Sequence, residues 1–95
     1  MKDLLAETKR LSEEVKSSHT SFLRTELDLA ATFARMAMES TDQQKRSRTA
    51  RQARLAYDTV LRFLVRVALT DAEQEEMYNR LASVKSNLQI LGQTF

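Results

Sequence analysis

The sequence predicts an all-α fold, an antiparallel up-down bundle of three or four helices, and three observations carry that expectation. Proline is absent and Gly92 is the single glycine among 95 residues, so nothing supplies the positive-φ turns that a β-rich chain requires. Apolar residues recur in steps of three and four over long stretches. Two capping signals, Thr41-Asp42-Gln43-Gln44 and Thr70-Asp71-Ala72-Glu73, punctuate those stretches. A chain of this length buries one core, so residues 1–95 are expected to form a single domain.

The first helix is expected over about 2–16, with Leu4, Leu11 and Val15 on one side and Glu7, Lys9, Arg10, Glu13 and Glu14 on the other. Ser17-Ser18-His19-Thr20-Ser21 then joins weak helix formers in a row, yet Leu4, Leu11, Val15, Ser18 and Phe22 stay in register across them. Two readings stay open here. Either the chain breaks at 17–21 and 1–17 is a protruding or separately packed helix, or one helix continues to residue 39. A continuous helix would be about 57 Å long and would outreach its neighbours, inviting a second copy at its end.

Over 20–39, Phe22, Glu26, Leu29, Phe33 and Met36 form one stripe, and Leu23, Leu27, Ala30, Ala34 and Ala37 form a flanking one. Together they make an apolar face for the middle helix. That middle helix is expected over about 42–68, where Ala50, Ala53, Tyr57, Val60, Leu64 and Val67 keep the step. In its second half Asp58, Thr59, Arg62 and Arg66 gather in a narrow polar arc, leaving an apolar arc of roughly 220°. An arc that wide requires more than one neighbour, so this helix is either innermost or covered by another chain.

The last helix is expected over about 71–91, opened by the Thr70–Glu73 capping box and closed by Gly92 in the left-handed conformation. Met77, Leu81, Val84, Leu88 and Leu91 form its seam, and Asp71, Glu73, Glu75 and Glu76 favour its positive end. Phe95 either folds back over the bundle end or frays. The links near 40 and 69 are short, which makes consecutive helices antiparallel neighbours.

Charge is unevenly spread. The segment 42–69 carries a balance of +5, against −2 for 70–95, −1 for 18–41 and zero for 1–17. Within it Lys45, Arg46, Arg48, Arg51 and Arg54 occur with no acid between them, so Lys45, Arg48, Arg51 and Arg54 are candidate phosphate contacts. No helix-turn-helix glycine or base-stacking aromatic accompanies them. Glu26, among apolar neighbours, is expected at the edge of its stripe or paired with an arginine.

Catalytic and metal chemistry are not expected, and no cofactor is implied. The chain has no cysteine, and its one histidine, His19, follows Lys16 where a bundle di-metal site needs a glutamate three residues earlier. Phosphate loops, nucleophile elbows and calcium loops need glycines that are absent here. No apolar run approaches the roughly 18 residues that span a bilayer. The opening MKDLLAETKRLSEEV also lacks the cationic and apolar regions of a secretory signal, so a cytoplasmic protein without a membrane partner is expected.

Within residues 29–60, Leu29, Ala30 and Phe33 match the large, small and aromatic positions of one helix, and Ala53, Tyr57 and Val60 the small, aromatic and small positions of a second. This pattern resembles a single tetratricopeptide-repeat helical hairpin, with its two halves about eleven residues further apart, no terminating proline and no second repeat. The resemblance implies protein or peptide binding.

The function expected from these readings is a non-enzymatic protein–protein interaction module that self-associates as a homo-oligomer. Leu4, Leu11, Val15, Phe63 and Val67 are the expected interface. The alternative is nucleic-acid binding by the basic residues of the middle helix.

Overall fold

The structure, a computed structural model, describes the backbone of residues 2–95 and the side chains of residues 7, 8, 10, 15 and 18–95. It is all-helical: α1 spans Lys2–Glu39, α2 spans Gln43–Leu64 and α3 spans Asp71–Ile90, with no strand among the described residues. There are three helices because the weak formers at 17–21 do not interrupt α1. Among the described side chains of this run Thr20 is the buried one, while Ser18, His19 and Ser21 are exposed. Thr20 is buried, and its hydroxyl donates to Glu73 Oε2 of α3 at 3.2 Å.

Asp42 caps α2 in extended conformation, its Oδ1 accepting from the Gln44 and Lys45 amides at 3.0 and 3.4 Å. The helix ends at Leu64 and not near 68 as the apolar pattern suggested. The pattern misleads because Val65 and Val67, β-branched and poor helix formers, continue the apolar run through a turn in which the Arg66 amide donates to the Phe63 carbonyl at 2.9 Å. The link to α3 is therefore residues 65–70.

At α3 the capping box forms as expected. The Glu73 amide donates to Thr70 Oγ1 at 3.1 Å and the Thr70 amide to Glu73 Oε1 at 3.0 Å. Gly92 at φ +93° closes the helix, with Gln93 N–H to the Leu88 carbonyl at 2.9 Å and Gly92 N–H to the Gln89 carbonyl at 3.0 Å. These are the two bonds of a Schellman motif, and they need the left-handed residue that glycine supplies without strain.

Helix directions follow from residue pairs. Phe22 of α1 meets Phe63 near the end of α2, which sets these two helices running oppositely. Thr20 with Glu73, Arg24 with Glu76 and Asp28 with Arg80 ascend together, so α3 lies along α1 in the same sense. Leu23, Leu27, Tyr57, Val60, Leu64, Met77, Leu81, Val84 and Leu88 form the core. Between α1 and α2 the buried residues include Ala30, Ala34, Ala37, Ala50, Ala53 and Ala56, small side chains that let two helix backbones approach closely. The molecule measures 63 × 21 × 17 Å, elongated because α1 has 38 residues against 22 and 20 in α2 and α3.

Candidate interaction surface

The two apolar stripes of α1 have different fates. Leu23, Leu27, Ala30, Ala34 and Ala37 are each 0 % exposed. The other stripe is outward: Val15 is 52 % exposed, Phe22 40 %, Leu29 39 % and Met36 40 %, while Phe33 and Glu26 are half-buried beside it. Arg24 faces α3 through Glu76 at 3.0 Å, and at 100° per residue Phe22 lies about 160° around the helix from it. The outward stripe thus occupies the flank of α1 away from α3, continuing onto α2.

Phe63 is where the two helices join that flank. Its ring stands edge-on to Phe22, centroids 5.1 Å apart at 63°, yet 39 % of the residue stays exposed. Beside this pair His19, Phe22, Leu23, Phe63 and Val67 line a shallow hollow of about 140 Å³. Of the residues expected to form the interface, Phe63 and Val67 meet here, and Val15 lies one helical turn before His19 on the same flank. The side chains of Leu4 and Leu11 lie outside the described residues. His19 sits on the surface of an unbroken helix.

The wide apolar arc of α2 is only partly covered. Tyr57, Val60 and Leu64 are buried, whereas Leu61 is 38 % and Val65 82 % exposed. α2 is therefore not sheathed on all sides by its own chain.

The basic residues of α2 divide. Lys45, Arg48 and Arg51 are exposed, and Arg48 and Arg51 border an open hollow with Gln43, Gln44 and Ser47. Arg54 is engaged elsewhere. Its Nε donates to Asp58 Oδ1 at 3.1 Å, its guanidinium donates to the Thr94 carbonyl at 2.7 Å, and it stacks 3.8 Å from the centre of the Phe95 ring. Steps of three rotate by about 60° each, so the series spirals around α2 and does not form one flat face.

Phe95 folds back, edge-on to Tyr57 at 5.2 Å and with Lys85 Nζ 5.2 Å from its ring centre. The sequence placed Phe95 near the bundle end but held no signal for Arg54 as its partner, far away along the chain. Phe22, Leu29 and Met36 were likewise expected to face the middle helix, and only their strict seven-residue spacing with Val15 hinted at a separate seam.

Electrostatic effects concentrate on the opposite flank, where α1 meets α3. The Glu73 carboxyl is held below its ordinary range by the Thr70 backbone amide and then by the Thr70 hydroxyl. Glu76 is lowered by its hydrogen bonds from Arg24, whose own guanidinium is raised in return. Burial raises the Tyr57 phenol. Among the described residues no group of three or more His, Asp or Glu side chains is arranged to hold a metal, and no helix is long and apolar enough to cross a membrane. Comparison with known proteins gives no match: no family model fits the chain, and neither the curated proteins nor the solved structures contain a significant relative.

Proposed function

We propose that this chain is a non-enzymatic protein–protein interaction module, an up-and-down three-helix bundle that self-associates through the outward flank of α1 and the adjoining end of α2. The observation that carries the reading is the half-exposed Phe22–Phe63 pair beside its apolar hollow, continuous with Val15, Leu29 and Met36. Contiguous exposed apolar surface of this kind is uncommon on a monomer and marks interaction sites. Aromatic anchors with an apolar surround are also what strong interfaces concentrate.

Light scattering on the purified protein at high micromolar concentration tests this. The expected result is a mass of at least two chains, returning toward one chain in the Phe22→Ser, Phe63→Ser double variant. A strict monomer removes self-association.

A second reading is supported by Lys45, Arg48 and Arg51, which stay exposed on α2 while Arg54 is occupied. They would contact phosphates of a nucleic acid. Binding would weaken with salt at a log–log slope of about one per phosphate contacted, and absence of binding to duplex or single strands at low salt ends this reading.

A further inference from the structure

We propose that two copies of this chain pair antiparallel along α1 about a two-fold axis at residues 25 and 26, so that Val15 meets Met36 of the second copy and Phe22 meets its Leu29. This pairing deepens the self-association reading and rests on it.

Spacing is the first support. Val15, Phe22, Leu29 and Met36 recur every seven residues, an interval over which a straight helix drifts by only about 20°, so the stripe keeps to one side along its length. Its midpoint falls between 25 and 26, and reversing the helix about that point returns each apolar position onto another. An isologous interface needs that self-complementarity, because the same patch must serve both partners.

The flanking residues are the second support. Ser18, Thr25 and Thr32 line the edge of the stripe that points away from α2, all exposed and all uncharged, although the chain is 29% charged. Of the charged residues on this stretch of α1, Arg24 and Asp28 are engaged by Glu76 and Arg80 of α3, and Glu26 stands half-buried on the other edge of the stripe, toward α2. Depletion of charge beside apolar anchors distinguishes the core of an interface from ordinary surface.

Area is the third. The chain exposes 6817 Å². A compact monomer of its 10.9 kDa mass would expose about 5,600 Å², an excess of about 1,200 Å², and a standard interface withdraws about 800 Å² from each partner. The excess follows from the length of α1 beyond α2 and α3. Antiparallel pairing about 25 and 26 brings residue 18 of each α1 level with residue 33 of the other copy and residue 12 level with its residue 39, so the part of α1 that leads into the bundle gains a neighbour.

The natural absence of cysteine makes the test direct. Thr25→Cys, Thr32→Cys and Glu39→Cys are each spin-labelled singly, and distances between labels in the associated protein are measured by pulsed electron resonance. Antiparallel pairing predicts a short distance at 25, with axial separations of about 20 Å at 32 and about 40 Å at 39, given 1.5 Å per residue and the two-fold at 25 and 26. Equal short distances at all three positions mean parallel pairing, and long distances at all three mean association through another surface. Either result overturns this arrangement while leaving self-association intact. Single labelled chains with no second copy in reach, together with a monomeric mass, overturn both.

Discussion

One helix carries two apolar stripes side by side, and the one with the larger side chains is the one left outside. Leu23, Leu27, Ala30, Ala34 and Ala37 are fully buried, while Val15, Phe22, Leu29 and Met36 remain about half exposed. Apolar bulk therefore does not choose the buried face. Both α1 and α2 bury alanines, small side chains that permit a close approach of backbones, and Phe22 reaches α2 only at the rim, edge-on to Phe63.

Substitutions in the inner stripe have the largest expected effect. Leu27→Ala empties space in a fully buried position and is expected to destabilise the fold by about 2–5 kcal/mol, read as a drop in the denaturant midpoint. Ala34→Leu attacks the same stripe from the opposite direction. It forces α1 from α2 and is expected to cost about 1–3 kcal/mol by overpacking; a neutral result would show that the alanine contact is loose.

Thr70→Ala removes the cap of α3 without touching either stripe, at an expected cost of about 1 kcal/mol in thermal unfolding. Leu29→Ala in the outer stripe is expected to lower monomer stability by less than about 1 kcal/mol, since the side chain is already partly in water, and to weaken association measurably in sedimentation. If Leu29→Ala unfolds the protein as Leu27→Ala does, the two stripes are not distinct.

The smallest effect expected is that of pH on the α1–α3 flank. Glu73 and Glu76 have folded-state pKa values below their unfolded ones, so their contribution is present above the ordinary carboxylate range and is lost as pH falls through the lowered folded values. Both are solvent-facing, so the loss is gradual. A modest fall in melting temperature on acidification, reduced in the Glu76→Gln variant, is the expected outcome.

The capping residues and the α3 seam were legible in the sequence because they are local. Thr70 with Glu73, and Gly92 with Gln93, act within a few residues of themselves, and Met77, Leu81, Val84 and Leu88 fix a narrow face by period alone. Continuity through 17–21 was not legible, because Thr20 is held by Glu73 at a separation of 53 residues. The end of α2 was not either, because Val65 and Val67 extend an apolar pattern past the point where the backbone turns. Part of the candidate surface was readable: Val15 and Phe63 are exposed on the outward flank, Val67 borders its hollow while packing half-buried against the core, and the Phe22–Phe63 contact that organises it is long-range.

By itself the sequence determined that this protein is helical, where α2 and α3 begin, where α3 ends, and that α1 has two apolar stripes, since propensity, capping and period are properties of neighbouring residues. Tertiary structure alone decided which stripe is buried. That choice depends on how closely α1 and α2 can approach, and a helical period specifies the direction of a side chain but not the depth of the space it must fill.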